Sequence, residues 1–401
     1  MTSALSPIAV VGAGIGGLAC ARTLQQYGLP VTVFEREPSA RSRWQGGMLD
    51  LHDTGRAAVR AAGLAEEFRA LARPEGQELR GLDPVTGELV HHELPADATV
   101  AAPEIDRGQL RGLLLDSLAP GTVRWGRPAA SVSRAGDGTA RLHFDDGTSE
   151  AFALVVGADG AWSRIRPALS EATPAYTGRT LVETSLDDVD TRHPALARMV
   201  GNGTLAAKSA RAMLSAQRNS GGHVRVYAGF EAPRDWHIRA GLDFEDSAAV
   251  REHLLGMLDG WHDGLLDLIR DSDGGFVNRP LHVLPVGHAW THVPGITLLG
   301  DAAHLMPPYG IGANLAMLDG TDLATSIATH DDLDRAVRAY ENLMLPRATA
   351  AAEACGDLAT AMESDTVINV DAARRHLNEK MQQARPAGGT PGPVLDVRMR
   401  S

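Results

Sequence analysis

Four short, nearly continuous apolar runs stand out in the pattern of hydrophobic and polar positions. They cover residues 8–11, 31–34, 153–156 and 296–299, and each is followed directly by glycine or glutamate. Runs of this length without alternation are typical of strands buried on both faces of a parallel sheet. They therefore predict the core of an α/β domain.

Other parts of the chain follow a helical or an alternating period. Helical spacing appears over residues 54–73, 107–118 and 247–269, and a long C-terminal helix is predicted from about residue 347 to about residue 385. Alternation marks strands at residues 129–134 and 140–144, and several more between residues 176 and 284. This alternation predicts an antiparallel sheet with one buried face.

The first apolar run leads into a glycine-rich turn with the spacing of a dinucleotide site. Gly12 permits a tight turn, Gly14 lets the main chain approach a pyrophosphate at the helix N-terminus, and Gly17 lets helix and strand pack closely. Glu35 ends the next strand and can accept both hydroxyls of an adenosine ribose. Because the acid favours a ribose over a ribose phosphate, the turn suits FAD or NAD better than NADP.

Two later apolar runs also end in small residues followed by an acid. Residues 157–160 read Gly-Ala-Asp-Gly, with Ser163 and Arg166 after them, and residues 300–304 read Gly-Asp-Ala-Ala-His, with two prolines after them. A dehydrogenase with a resident NAD would not need these two motifs. The three motifs together therefore favour FAD.

In this order the three motifs resemble the FAD-binding signature of the class A flavoprotein monooxygenases, which share the para-hydroxybenzoate hydroxylase fold. The resemblance covers nearly the whole chain. Within that family, residues 46–52 and 300–308 are most similar to the tetracycline-inactivating monooxygenases and to relatives that oxidise polycyclic polyketides. The similarity is weak in the sheet between residues 176 and 284, where substrates are selected.

The resemblance implies an α/β fold, with a Rossmann-like FAD-binding domain, an inserted antiparallel-sheet substrate domain and a long C-terminal helix. The expected segments are 1–75, 101–175 and 285–330 for the three parts of the FAD-binding domain, 76–100 and 176–284 for the substrate domain, 331–385 for a C-terminal helical region and 386–401 for a flexible tail.

The resemblance also implies which residues contact the cofactor. The first motif holds the ADP half of FAD, the second lies beside the pyrophosphate and the nicotinamide route, and the third holds the ribityl chain and the diphosphate. The loop at residues 309–314 faces the flavin edge, although Ile311 departs from the acidic or amide residue common there. The expected FAD-binding residues are Gly12, Gly14, Ile15, Gly16, Gly17, Glu35, Arg36, Arg43, Arg107, Asp159, Gly300, Asp301, Pro308, Gly310, Gly312, Ala313 and Asn314.

The implied activity is that of an FAD-dependent monooxygenase that consumes dioxygen and NADPH or NADH. The nicotinamide binds transiently, and a C4a-hydroperoxyflavin hydroxylates a bulky aromatic or polycyclic substrate, so that no side chain is expected to be the catalyst. The resemblance favours NADPH over NADH. The same scaffold also suits a Baeyer–Villiger oxygenase, a reductase, a non-redox cyclase with bound FAD, or a ligand-sequestering flavoprotein without turnover.

Composition and charge argue against several other classes of protein. The chain has 401 residues, 44% of them hydrophobic, and a net charge of −12, which argues against a nucleic-acid partner. No apolar run reaches the length of a membrane span, and Cys20 and Cys355 are too far apart in sequence to suggest a disulfide. We expect a cytoplasmic monomer or weak dimer that takes a small-molecule substrate.

Three of the motif residues also have a structural interpretation. Asp159 and Asp301 each follow a strand, where aspartate commonly caps the next helix. His304 is expected to pack and hydrogen-bond behind the flavin, since the chemistry of a flavin needs no imidazole base.

His288 and His292 have a spacing that would suit a metal pair on a helix. Trp290 and Pro294 argue against a helix, and no third ligand is close in sequence. We therefore expect two loop histidines and no metal.

Candidate substrate residues lie on the predicted sheet and beside the flavin. Glu183 and Arg225 each interrupt an apolar strand, so they either face solvent or point inward with a compensating partner. The candidates are Glu183, Arg225 and Tyr227 on the sheet, Tyr309 by the flavin and Met362 on the long helix.

Overall fold

The structure is a computed structural model that describes residues 7–42, 46–94, 102–135 and 139–364. The strands in the described residues are β1 (Ile8–Val11), β2 (Val31–Phe34), β3 (Met48–Asp50), β4 (Leu79–Leu82), β5 (Leu89–Glu93), β6 (Glu104–Asp106), β7 (Val123–Arg124), β8 (Ala129–Arg134), β9 (Ala140–Phe144), β10 (Ser149–Phe152), β11 (Leu154–Gly157), β12 (Ala175–Leu186), β13 (Thr204–Lys208), β14 (Ala212–Arg218), β15 (Val224–Glu231), β16 (Val277–Val283) and β17 (Ile296–Leu298). The helices there are α1 (Ile15–Gln26), α2 (Asp53–Ala61), α3 (Ala65–Leu71), α4 (Arg107–Asp116), α5 (Val189–Arg192), α6 (Pro194–Val200), α7 (Trp236–Arg239), α8 (Ser247–Met257), α9 (Asp263–Arg270), α10 (Asp301–His304), α11 (Gly312–Thr329) and α12 (Leu333–Ser364).

A parallel sheet with the order β17-β11-β1-β2-β7 forms the centre of the nucleotide-binding layer. Its central strands β1 and β11 are buried at every position, which explains their continuous apolar sequence. Helices α1 and α11 pack together beside it. The predicted α/β fold with a Rossmann-like core is confirmed.

A second sheet has the order β16-β12-β15-β14-β13-β4-β5. Its pairs are antiparallel except for β4 and β13, which run parallel. Val182, Leu214 and Val226 point from one face into a separate apolar core that also receives side chains from α6, α8 and α9. The alternation along the sequence predicts this one-sided burial correctly.

A short two-stranded sheet, β3 with β6, joins the two layers. The Arg107 amide, directly after β6, donates to the Gly47 carbonyl at 3.1 Å. The Asp106 carboxylate accepts hydrogen bonds from the Asn219 side chain at 2.9 Å and from the Ser220 amide. The β14–β15 connection is therefore tied to the start of α4.

Three helical predictions need correction. Residues 247–269 form two helices, α8 and α9, because the chain turns at Gly260 with φ 83°. Residues 54–73 are likewise split into α2 and α3, with Gly63 at φ 66° between them. The C-terminal helix α12 begins at Leu333 rather than near residue 347, because Asp332 accepts a hydrogen bond from the Arg335 amide and caps it. Its predicted end near residue 385 lies outside the described residues.

Among the helices of the described residues, none has both the length and the apolarity of a membrane span.

Candidate FAD site

The glycine turn between β1 and α1 lies directly against the second motif. Gly12 has φ 110°, and a Cβ added there would lie 2.3 Å from the Ala158 carbonyl oxygen. A Cβ on Gly17 would lie 2.2 Å from the Gly12 carbonyl oxygen. Both positions therefore require glycine, and the first two motifs share one edge of the parallel sheet.

The N-terminus of α1 is open toward the turn. Gly14 is its N-cap residue, no side chain caps the helix, and the first turn carries no acid. A Cβ on Gly14 would meet nothing within 4 Å. Uncapped amides and the positive end of the helix dipole suit an anionic pyrophosphate.

Gly16 and Ile15 act in the packing of α1. A Cβ on Gly16 would lie 2.7 Å from the Ala316 carbonyl oxygen of α11. The Ile15 side chain is buried in the core, so only its main chain faces the turn. The close approach brings the N-terminal ends of α1 and α11 together.

Glu35 is held at the end of β2 by the main chain. Its Oε2 accepts a hydrogen bond from the Ala13 amide at 2.7 Å, and its Oε1 accepts one from the Glu37 amide at 3.0 Å. A carboxylate oxygen has lone pairs beyond these single bonds, so both ribose hydroxyls can still donate to it. Arg36 beside it is exposed.

Asp159 closes the turn of the second motif. Its Oδ1 accepts from the Ser163 hydroxyl at 2.6 Å, and its Oδ2 accepts from the Arg164 amide at 2.6 Å. Burial raises the pKa of Asp159 above its usual range, although these hydrogen bonds oppose the shift. The carboxylate therefore shapes the loop, whatever else it contacts.

Arg166 connects the second motif to the third. This buried guanidinium donates from Nε to the Ala302 carbonyl at 2.8 Å and from Nη2 to the Ala161 carbonyl at 2.6 Å. The two loops are consequently fixed relative to each other by main-chain hydrogen bonds to one charged side chain.

The third motif presents a carboxylate beside the start of α11. Gly300 turns the chain at φ 60°, and Asp301 begins α10. Asp301 Oδ1 lies 3.7 Å from the position of a Cβ on Gly312, the first residue of α11. Within the described residues the Asp301 carboxylate has no hydrogen-bond partner, so it is available to a ribityl hydroxyl.

A buried charge network supports this motif from behind. The Asp319 carboxylate accepts from His304 Nε2 at 2.5 Å, from the Gly300 amide at 3.1 Å and from Arg347 at 2.9 Å. Burial alone would lower the pKa of His304, but the Asp319 charge outweighs it and raises that pKa. Burial would raise the pKa of Asp319, but His304 and Arg347 hold it below its usual range. His304 thus packs behind the motif, as its sequence context suggests.

Asn314 fixes the loop before α11. Its Nδ2 donates to the carbonyls of Asp50 and Gly310 at 2.9 and 3.0 Å, and its Oδ1 accepts from the His52 amide at 3.0 Å. The side chain is fully buried and its amide group is engaged within the protein. Any contact of Asn314 with a ligand therefore falls to its main chain.

The rest of this loop divides into exposed and buried positions. Pro308 and Gly310 are exposed, and Gly312 and Ala313 are half-buried in the first turn of α11. Ile311 is buried among Met306, Leu315 and Ala351, so its apolar side chain belongs to the core. Tyr309 packs against the same cluster.

Of three further predicted residues, one is exposed, one falls outside the described residues, and one has its side chain outside them. Arg107 is exposed at the start of α4, and within the described residues its guanidinium has no hydrogen-bond partner. Arg43 falls outside the described residues. Met362 lies in the last turns of α12, but its side chain also falls outside the described part.

Glu183 and Arg225 lie on the face of the second sheet that points away from its apolar core. Both are buried and form an ion pair with each other, and Arg279 Nε donates to the other oxygen of Glu183 at 2.8 Å. Tyr227 shares this face, opposite Glu183 on the neighbouring strand. Burial first, and the Glu183 charge second, raise the pKa of Tyr227 to about 12, so its hydroxyl stays protonated.

The sequence reasoning missed two side chains that hold the cofactor loops. Arg111 donates to the Ala13 carbonyl at 2.9 Å and to the Ala40 carbonyl at 3.0 Å. Its one sequence signal is the spacing of four from Arg107, which places both on one side of α4. Asp319 gives no local sequence signal, because its partners Gly300 and His304 lie 19 and 15 positions earlier in the chain.

No group of residues in the described part of the chain could hold a metal ion. His288 bonds to the Ala303 carbonyl at 2.6 Å and to Ser170 at 3.0 Å. His292 lies between the Glu341 and Asp334 carboxylates, at 2.6 and 2.8 Å. The two histidines lie in a loop, as predicted.

Comparison with known proteins agrees with this geometry. The FAD binding domain family matches residues 6–254 and 289–354. The chain is 31% identical over 400 residues to monooxygenase penA of Penicillium thymicola, covering 85% of this chain and 91% of the relative. It is 31% identical to a 3-amino-4-hydroxybenzoate 2-monooxygenase of Streptomyces cremeus, covering 85% and 83% of the two chains.

Two solved structures share the fold. Klebsiella pneumoniae HpxO, complexed with FAD and uric acid, superposes with a TM-score of 0.77 at 21% identity and covers 95% of this chain and 98% of its own. Tetracycline destructase Tet(55) superposes with a TM-score of 0.72 at 21% identity and covers 98% and 100%. The chain has the class A flavin monooxygenase fold, and it belongs to the FAD binding domain family as a flavin-dependent monooxygenase.

Proposed function

We propose that this monooxygenase takes its electrons from NADPH and hydroxylates a bulky aromatic or polycyclic substrate. The observation that carries the proposal is the polar, charged face of the second sheet. It lies against Gly47 and close to Arg107 at the start of α4, and its Glu183 and Arg225 side chains are buried although they point away from the apolar core of the sheet. The Glu183 charge is compensated by Arg225 and Arg279, so this face supplies paired polar groups to a substrate rather than an apolar wall.

The residues of the site fit FAD. The uncapped amides of α1 would bind the pyrophosphate, Glu35 would accept the ribose hydroxyls, and Asp301 would accept a ribityl hydroxyl. The N-terminus of α11, also without a side-chain cap, offers amides to the flavin carbonyls. Bound FAD supplies the oxygen chemistry, in which one atom of dioxygen enters the substrate and the other leaves as water.

The chain itself contributes binding and orientation. The network of Arg166, Asp319 and Asn314 holds the loops of the site in a fixed geometry, so little reorganisation is needed when ligands bind.

The names of relatives support the substrate class. The Streptomyces cremeus relative is named for a substituted benzoate, and the Stigmatella aurantiaca relative, 28% identical, is an aurachin C monooxygenase/isomerase. We expect the reaction in the cytoplasm, where reduced nicotinamide is regenerated. Both cysteines are free and buried, as suits a reducing compartment.

Substrate-stimulated NADPH oxidation tests the proposal. The holoenzyme is mixed with NADPH and a panel of polycyclic phenols under isotope-labelled dioxygen, and nicotinamide absorbance and product mass are followed. We expect slow NADPH oxidation without a substrate, faster oxidation with a substrate, and one labelled oxygen on an aromatic carbon of the product. A labelled lactone would indicate a Baeyer–Villiger oxygenase, and an unlabelled product a reductase or cyclase. Binding without any NADPH oxidation would indicate a sequestering flavoprotein.

A further inference from the structure

The strand β5 forms one edge of the second sheet. It pairs with β4, and no other strand in the described parts of the chain pairs with its outer side. A strand at the end of a sheet offers main-chain donors and acceptors on that side to a further strand. We call residues 89–94 the β5 edge.

The β5 edge is unusually apolar for an exposed edge. Leu89, Val90 and Leu94 are 54%, 53% and 62% exposed. Residues 89–94 contain no lysine, arginine or proline, which are the residues that commonly protect a free edge from other chains. Exposed apolar residues on an unprotected edge are typical of a strand that pairs with a partner.

The opposite edge of the same sheet is protected. Its strand, β16, contains Arg279 and Pro280, and a proline cannot donate a hydrogen bond to a further strand. The Trp162 ring also packs edge-on against His282 of β16, with ring centroids 5.0 Å apart. The contrast indicates that this sheet can be extended at the β5 edge and not at the β16 edge.

The order of side chains along the β5 edge fits a second copy of the same strand. In an antiparallel pair related by a two-fold axis, one residue lies on the axis and the others pair symmetrically about it. With His92 on the axis, Val90 lies opposite Leu94 of the second copy, and His91 lies opposite Glu93. Apolar side chains then meet apolar ones, and an imidazole meets a carboxylate.

The neighbouring registers match less well. With the axis at His91, Val90 would lie opposite His92, and with the axis at Glu93, Leu94 would lie opposite His92. A parallel pair in register would place Glu93 beside its own copy, and like charges directly opposite each other are destabilising. The sequence of β5 therefore favours the antiparallel register with His92 on the axis.

His92 would face its own copy in this register. Its Nε2 lies 2.9 Å from the carboxylate of Glu78, which is buried beneath it in the same chain. A positive charge on either imidazole is therefore compensated within its own chain, so that two His92 rings can approach each other.

A pair formed in this way is closed. Two copies joined at the β5 edge would form one continuous sheet, and both outer edges of that sheet would be protected β16 strands. Assembly would then stop at two chains. We propose that the β5 edge is a dimer interface, in which β5 pairs antiparallel with β5 of a second copy about a two-fold axis at His92.

Sedimentation velocity of the holoenzyme over a range of concentrations tests the dimer. The interface is small, so we expect a dimer Kd of about 10–100 µM. Val90→Lys would place a charge opposite Leu94 of the second copy and should raise that Kd at least about tenfold. Val85→Lys is the matched control, because Val85 is 65% exposed in the turn before β5 and lies outside the paired segment. It should leave the Kd unchanged.

A disulfide tests the register. Residues directly opposite each other in an antiparallel pair have Cα atoms about 4.5–5.5 Å apart, which is a distance that a disulfide can span. His92→Cys should therefore give a covalent dimer on mild oxidation, whereas Val85→Cys should not. The native Cys20 and Cys355 are buried, so they should not cross-link two chains.

A holoenzyme that stays monomeric at the highest concentration would overturn the proposal. So would a dimer Kd that Val90→Lys leaves unchanged, or a His92→Cys variant that cross-links no faster than Val85→Cys. The FAD content of every variant should equal that of the wild type, because the β5 edge contributes no residue to the candidate FAD site.

Discussion

The Asp319 carboxylate accepts a hydrogen bond from the Gly300 amide at 3.1 Å, although nineteen positions separate them. The same carboxylate pairs with His304 and Arg347. The turn that begins the third motif is therefore held by a buried anion in the middle of α11. The position of Asp301 beside the α11 N-terminus depends on that contact.

We predict that Asp319→Asn destabilises the protein by about 3–5 kcal/mol, because buried His304 loses its paired carboxylate and buried Arg347 is left with Asp322 alone. The free energy of unfolding, measured by urea denaturation, gives the result. Asp332→Asn is the control, since it removes an exposed aspartate that only caps α12. A loss for Asp319→Asn no larger than that for the control would contradict the role of the buried network.

The ion pair of His304 and Asp319 predicts that the free energy of unfolding depends on pH. The folded pKa of His304 is raised, so its stabilising contribution is complete below the unfolded pKa of about 6.5 and is lost as pH rises through the folded value. The folded pKa of Asp319 is lowered, so its contribution is present above about pH 4 and is lost as pH falls through the folded value. The pair stabilises most between those limits.

The difference in unfolding free energy between the wild type and His304→Gln isolates the contribution of the His304 charge to stability. It should be largest from about pH 4 to about pH 6.5 and shrink on the alkaline side. A difference that stays constant with pH up to pH 9 would show that His304 does not carry the charge.

Gly14→Ala should separate folding from cofactor binding. A Cβ on Gly14 meets nothing within 4 Å in the described residues, yet it would project toward the pyrophosphate that we propose at the start of α1. We expect unfolding of the apoprotein to change little, while FAD affinity falls by about tenfold or more, that is, by at least about 1.4 kcal/mol.

Gly112→Ala provides the comparison for Gly14→Ala. A Cβ on Gly112, inside α4, also meets nothing within 4 Å, but no ligand is expected there. FAD titration of the two apoproteins should show a loss only for Gly14→Ala. Equal affinities would place the pyrophosphate elsewhere.

Asp301→Ala and Asp159→Ala should affect different properties, the first FAD binding and the second the stability of the apoprotein. The Asp301 carboxylate has no hydrogen-bond partner within the described residues, so its removal should weaken FAD binding about tenfold to a hundredfold with little change in apoprotein stability. Asp159 holds Ser163 and Arg164, so its removal should cost the apoprotein about 1–3 kcal/mol. His304→Ala should weaken FAD binding less than Asp301→Ala does. Apoprotein denaturation and FAD titration together distinguish the two aspartates. If Asp159→Ala weakened FAD binding more and Asp301→Ala destabilised the apoprotein more, the two roles would be exchanged.

The convergence of the three motifs was predictable from the sequence. Each motif follows a buried strand, and the carboxyl ends of parallel strands meet at one edge of a sheet. The requirement for Gly12 also follows from its motif. The one-sided second sheet was predictable from alternation, because a period of two assigns Val226 and Tyr227 to opposite faces.

The supporting side chains were not predictable. Arg166 reaches the Ala302 carbonyl and Arg111 reaches the Ala13 carbonyl, across long stretches of sequence. Such contacts depend on how elements pack, and a single arginine in a helix gives no sign of its partner. Whether Glu183 faced inward was open for the same reason, since only the packed sheet brings Arg225 and Arg279 to it.

The cofactor content of the purified protein tests the central claim most directly. The visible spectrum is recorded, the bound flavin is released by denaturation and identified by mass, and the apoprotein is titrated with FAD. We predict a yellow protein with one FAD per chain, restored to the same ratio on titration. A colourless protein that does not bind added FAD would contradict the account.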